Sequence, residues 1–152
     1  MKKLVARVEM LIHKPARRVF DAFVKPRLIE KFWLKKTSGP LGKDVTVRWQ
    51  FMVEGASETA KVTAFEEDEL IVFDWSDGVS VSLKFTPHGK GSTTLSIEAS
   101  GFHGRGLLAQ ALNATEGFSI VACDLKSLLE TGQSGNMVRD KAVLVGASKT
   151  DA

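Results

Sequence analysis

From Leu107 to Gly132 the chain reads LLAQALNATEGFSIVACDLKSLLETG, and Leu108, Ala111, Leu112, Thr115, Phe118, Ala122, Leu125 and Leu129 recur every three or four positions. That is the period of an α-helix with one face turned to a core. At about 1.5 Å per residue, roughly 25 residues make a rod near 38 Å long, enough to cross a sheet several strands wide. The segment before it supplies such a sheet. Val45, Val47, Trp49, Phe51 and Val53 alternate with polar neighbours; Ala60, Val62 and Ala64 share one side of the next stretch. Leu70 to Trp75 is apolar on both faces, and Val79 to Phe85 and Leu95 to Ala99 alternate again. This period of two marks strands, and the short connectors at 55–57, 66–69, 76–78 and 87–91 predict an antiparallel meander.

Further upstream, Leu4 to Ile12 alternates as a first strand. Pro15 then opens a short amphipathic helix carrying Ala16, Val19, Phe20 and Phe23, and Pro26 restarts the chain into a second through Leu28, Ile29, Phe32 and Trp33, closed at Ser38-Gly39-Pro40. The whole reads as α+β, a curved antiparallel sheet of about six to seven strands wrapped around a long C-terminal helix, with two short helices after strand one. Residues 1–132 form a single domain in this reading. Residues 133–152 show no sustained period and are expected to be a loosely attached tail, in which docking of Met137, Val138 and 143–145 is left open by the sequence.

Composition narrows the function classes. The chain has 152 residues, 43% hydrophobic and 26% charged, the range of an ordinary globular domain rather than a collagen-like, coiled-coil or disordered one. No apolar run approaches the 18 or so residues of a membrane span. Arg7 and Glu9 break the stretch after Lys2 and Lys3 that a signal peptide would need, so a cytoplasmic protein is expected. Cys123 is the single cysteine, which excludes an internal disulfide and a cysteine-built zinc site. Charge is uneven. Residues 1–50 hold 13 Lys/Arg against 4 Asp/Glu, and residues 51–100 hold 3 against 9. No nucleic-acid motif accompanies the basic third, so nucleic acid is not an expected partner; a protein partner engaging residues 14–36 through Arg17, Arg18 and Lys31 is the alternative.

Catalytic and metal motifs are missing. There is no H-E-x-x-H and no G-x-S-x-G, His13 and His88 are scattered, and the G-x-x-G-x-G of residues 101–106 lacks the surrounding βαβ unit of a dinucleotide site. No metal, cofactor or catalytic residue is expected, and the chain reads more as a binding protein than as an enzyme. Arg48, Glu98 and His103 are the candidate acids or bases for a cyclase-like reaction, and they mostly alternate outward.

The architecture itself suggests a cavity. One helix cannot cover a wide twisted sheet, and incomplete wrapping leaves an apolar gap. The side chains expected to line it are Trp33, Trp49, Phe51, Trp75, Phe85, Phe102, Phe118 and Ala122. His103, with Arg105 at the helix entrance, would be its polar mouth. The opposing reading is that these aromatics pack solid. A drug-sized guest needs roughly 300 Å³ or more, and a cavity below that size would count against the binding reading.

Several local motifs resemble one superfamily. Ile12-His13-Lys14-Pro15 with Val19-Phe20-Asp21-Ala22-Phe23, Pro26 through Phe32-Trp33, Leu41-Gly42-Lys43, Val72-Phe73-Asp74-Trp75, and Gly117-Phe118 with Leu125 to Glu130 are similar to the helix-grip SRPBCC, START-like proteins. The likeness runs from Val8 to Gly132 and is to the branch related to the activator of the heat-shock chaperone ATPase and to polyketide cyclases. Gly117-Phe118 departs from the Gly-Trp frequent there. The resemblance implies a hydrophobic tunnel between helix and sheet that holds an apolar or amphipathic small molecule, and, in the co-chaperone relatives, a protein partner on the outer surface.

Overall fold

The computed structural model describes residues 3–150, with side-chain surroundings through residue 147. The elements are β1 (Ala6–Ile12), α1 (Ala16–Val24), α2 (Pro26–Phe32), β2 (Leu34–Thr37), β3 (Thr46–Phe51), β4 (Ser57–Glu66), β5 (Leu70–Asp74), β6 (Ser80–Pro87), β7 (Thr93–Ser100), α3 (Leu107–Thr131) and α4 (Met137–Thr150). One seven-stranded sheet runs in the order β1-β7-β6-β5-β4-β3-β2, antiparallel throughout. Each strand from β2 to β7 pairs with its sequence neighbour, and β1 closes onto β7, the meander that the short connectors predict.

Register builds the core face. Directly opposed residues of an antiparallel ladder lie on the same side of the sheet. Val8 therefore faces the same way as Ile97, Ile97 as Leu83, and Leu83 as Ile71, and all are buried. Ala122, Leu125 and Leu129 of α3 belong to the same buried cluster, with Phe20 and Phe23 of α1. The long helix is gripped by the sheet as its length and period require. It stops at Gly132, whose φ of 85° is left-handed and whose N–H reaches the Leu128 carbonyl at 2.9 Å. Glycine is favoured there because it takes that conformation without steric cost.

Four details depart from the periodic reading. β2 has no counterpart in it: Leu34 and Thr37 are buried while Lys35 and Lys36 are exposed, and the ladder to β3 slips between Leu34 and Lys36, so no alternation exists to be read. In β4 the ladder shifts between Val62 and Ala64. That bulge turns Phe65, rather than Ala64, onto the core, with its ring 5.2 Å from Phe20. In α3 the first turns extend past the packed surface, leaving Leu108 62% and Leu112 61% exposed, while Val121 and Leu128 are buried instead. The expected tail also contains a helix. α4 presents Val138 to the core and leaves Val143 and Leu144 in solvent. Apolar residues on both faces are why no period appears in its sequence.

A polar clasp joins the first strand to the end of α3. Glu130 Oε2 accepts the His13 backbone N–H at 2.8 Å and the Lys126 ammonium at 2.7 Å, and Lys126 also donates to the Leu11 carbonyl at 2.6 Å. The His13 N–H first and the Lys126 ammonium second hold the Glu130 carboxyl below its ordinary range, against a small opposing effect of burial. A depressed carboxylate contributes stability above its unfolded value, near pH 4.5, and that contribution is lost as pH falls through the lower folded value. Glu130→Gln should thus have a lower melting temperature than the parent at pH 7, with the gap closing below about pH 4.5. A gap that persists unchanged at pH 3 would mean the carboxylate's charge is not what the clasp uses.

Candidate ligand cavity

Between α3, α4 and the ends of β3 and β5 lies a cavity of about 260 Å³. Its residues come from elements whose periods converge there. Ala114, Gly117, Phe118 and Val121 follow one helical stripe of α3, spaced i, i+3, i+4 and i+7. Val138, Lys141 and Ala142 repeat that spacing on α4. From the sheet side, Phe51 ends the inward series Val47, Trp49, Phe51 of β3, and Trp75 follows the inward series Ile71, Phe73 of β5. Trp33 caps the end of α2, its N–H bonded to the Ile29 carbonyl at 3.0 Å, which points the chain beneath α3.

The aromatic wall is continuous. The Trp33 ring lies 6.0 Å from Phe118 and 6.5 Å from Phe51, and Phe51 lies 5.8 Å from Trp75. Gly117 widens the space: a Cβ placed on it would meet nothing within 4 Å. Lys141 is the sole charged lining residue among the described residues, its Nζ held by Glu116 Oε1 at 2.8 Å at the solvent side.

The expected lining thus divides. Trp33, Phe51, Trp75 and Phe118 meet at the cavity. Trp49 stands behind it, 1% exposed, with its ring 5.0 Å from Trp33, 5.2 Å from Phe73 and 5.5 Å from Trp75. Phe85 and Ala122 are buried in the core, and Phe102 packs against it from the loop before α3. His103 is exposed, its Nδ1 3.2 Å from the Gly101 carbonyl, in a loop that Gln110 ties by donating to the His103 and Arg105 carbonyls at 2.9 Å. The charged group at the mouth is therefore Lys141, not His103. Val53 continues the alternating series of Trp49 and Phe51, and Val138 is among the C-terminal residues whose docking the sequence leaves open; Met52, Ile120, Lys141 and Ala142 had no signal in the sequence, because they reach the cavity from a turn, a helix flank and an aperiodic segment.

Candidate catalytic groups lie elsewhere. Glu98 pairs with Arg7 at 2.7 Å on the outward face, and Arg48 is exposed on β3. Ser92 Oγ lies 3.0 Å from His13 Nδ1, but Glu130 bonds the His13 backbone rather than its ring, so no third group orients the imidazole as a nucleophile's base requires. Burial raises the Glu58 carboxyl, and hydrogen bonds from the Ser76 side chain and backbone and the Thr59 backbone outweigh it, leaving Glu58 lowered; it pins the turn after β5. Among the described residues no cluster of His, Cys, Asp and Glu could hold a metal, and no helix is long and apolar enough to cross a membrane.

A family model described as Activator of Hsp90 ATPase homolog 1-like protein matches residues 13–130. The chain belongs to this family. The match takes in α1, α2, strands β2 to β7 and nearly all of α3; it begins just after β1 and stops before α4. Solved structures share the family's helix-grip architecture. Protein SSP2350 from Staphylococcus saprophyticus is 25% identical with a TM-score of 0.76, over 86% of this chain and 94% of its own. DynU16, a putative protein in the dynemicin biosynthetic locus, is 22% identical with a TM-score of 0.77, over 88% of this chain and 49% of its own. The Aha1 dimer from Colwellia psychrerythraea is 17% identical with a TM-score of 0.74, over 86% of this chain and 98% of its own. No curated protein matches.

Proposed function

We propose that the protein binds a small apolar or amphipathic molecule in the cavity between α3, α4 and the sheet. The observation that carries this reading is an aromatic wall around open space in which the single charged residue among the described residues is already paired. Such a wall offers dispersion contacts and the hydrophobic effect but no acid or base aimed at a substrate, which favours binding over chemistry. Size sets the guest. The space falls short of the roughly 300 Å³ that the sequence reading required, so a drug-sized guest is ruled out and the guest proposed is smaller. A dry apolar cavity of about 150 Å³ accommodates benzene, and 260 Å³ suits one or two fused rings or a short alkyl chain. Binding at ten times the dissociation constant stabilises by about 1.4 kcal/mol, a rise of roughly 3–5 °C in melting temperature for a domain this large. A thermal-shift and native mass-spectrometry panel of one- and two-ring aromatics should find such guests, bound one per chain. No shift across the panel would remove the reading.

A second reading has its own observation. Arg17, Arg18, Lys31, Lys35 and Lys36 are exposed and form no ion pair among the described residues, a basic surface suited to an acidic protein partner. The family description names a chaperone ATPase activator homolog, which accords with this. Partner capture that vanishes when Arg17, Arg18 and Lys31 are reversed to Glu, in a protein that retains no small molecule, would favour it over the first.

A further inference from the structure

β1 ends the sheet: it pairs with β7 on one side and has no strand on the other. Along such an edge, alternate residues turn both their N–H and their C=O away from the partner strand. In β1 these are the odd-numbered ones, because the Leu11 carbonyl and the His13 N–H reach out to Lys126 and Glu130 of α3. That clasp covers the edge only from Leu11 onward. The outward backbone groups of Arg7 and Glu9 have no partner among the described residues, and the exposed Leu4, Val5 and Leu11 accompany them. An unpaired edge of this kind is a template for another strand. The side chains say which. Arg7, Glu9 and Leu11 are exposed on the outer face, while Ala6, Val8 and Ile12 between them are buried, and the exposed Val5 continues their spacing. From either end the series runs apolar, charged, charged, apolar, with the two charges opposite in sign. Glu9 forms no ion pair among the described residues. Arg7 gives its Nε–H to Glu98 at 2.7 Å, and its other guanidinium N–H groups have no partner among them.

We propose that β1 pairs antiparallel with β1 of a second copy of this chain, about a two-fold axis at Val8, so that the two seven-stranded sheets continue as one. In this register Arg7 lies opposite Glu9 of the second copy, and Val5 lies opposite Leu11 of the second copy. Symmetry repeats each pair on the other side of the axis. Every opposed pair sets outward backbone groups against outward backbone groups, so the N–H and C=O of Arg7 and Glu9 bond across the axis. Opposite charges so placed stabilise a ladder, and like charges weaken it. Moving the axis to Arg7 would set the two guanidiniums against each other, so charge fixes the register. The ladder is short because α3 clasps the edge beyond Leu11, which makes this a dimer of the small, transient class. No β1 residue lines the cavity, so pairing does not depend on a guest.

The test follows the full chain by sedimentation equilibrium from about ten micromolar to about one millimolar, the span in which a small interface associates. The parent should pass from monomer to dimer. Glu9→Arg and Arg7→Glu each set like charges against each other twice across the axis, and each should weaken self-association at least about tenfold. Mixing the two variants should restore the dimer, because each then meets its complement at both positions. Amide exchange followed by NMR should slow at residues 7 and 9 as the parent's concentration rises, and keep its rate in Glu9→Arg. A parent that is monomeric throughout overturns the proposal, whether the edge then stays bare or takes an extended segment of another protein. So does a dimer that both variants form as readily, or a mixture that associates no better than its parts. Should Arg7→Glu lose its fold beside Glu98, Glu9→Arg and the amide exchange decide alone.

Discussion

Replacing Gly117 with leucine is expected to lower guest affinity at least tenfold while leaving the protein as stable as the parent or more so. Glycine inside a helix costs up to about 1 kcal/mol relative to a good helix former, so the substitution favours α3 itself. The added side chain projects where a Cβ meets nothing within 4 Å, among Phe118, Val121 and the aromatic wall, and a leucine buried there gains about 1.5–3 kcal/mol. The same side chain takes the volume a guest would occupy. Gly117→Ala separates the two effects, gaining helix stability while leaving most of the space. Calorimetric titration with a guest from the panel, set beside chemical denaturation of each variant, checks both arms. Undiminished binding by Gly117→Leu would place the guest somewhere other than this cavity.

The largest loss of stability is expected from Trp49→Ala, about 3–5 kcal/mol. Trp49 is the largest fully buried side chain, and its ring makes edge-on contacts with Trp33, Phe73 and Trp75. Deletion removes their common support and leaves a void directly behind the cavity wall. Since a domain is stable by only about 5–15 kcal/mol, this consumes a large fraction of the total. Denaturant midpoints for the parent and variant measure it. A loss below about 1 kcal/mol would show that the wall holds its shape without Trp49. Guest affinity should fall as well, through the altered positions of Trp33 and Trp75 rather than through any contact of Trp49 with the guest.

The elements legible in the sequence were those whose burial is periodic and one-sided. β3, β6, β7 and the middle of α3 bury one face against a single partner, so alternation or a helical stripe survives in the residues. β2 buries positions three apart across a slipped ladder, and β4 changes face at its bulge; each breaks the count on which the reading depends. The cavity divides in the same way. Aromatic residues at strand and helix ends announced Trp33, Phe51, Trp75 and Phe118, but composition could not separate a ring facing space from a ring facing rings. Trp49 and Phe85 have the same chemistry and inward register as Phe51 yet lie deeper along their strands, where the helices cover them. α4 was illegible because a helix half on the surface carries apolar residues on both sides. Asp124, which accepts from Ser134 Oγ and the Gly135 N–H of the turn before α4, was illegible because a buried carboxylate one position before Leu125 reads as a flank of the stripe until that turn is in view.

The most direct test of the central claim is intermolecular NOE spectroscopy on the full chain with naphthalene as guest. The account predicts contacts from the guest to the Trp33, Trp75 and Phe118 rings and the Val138 methyls, with none to Phe85, and their disappearance in Gly117→Leu. Contacts confined to exposed residues such as Leu108, Leu112 and Leu144, or contacts unchanged by the leucine, would contradict it.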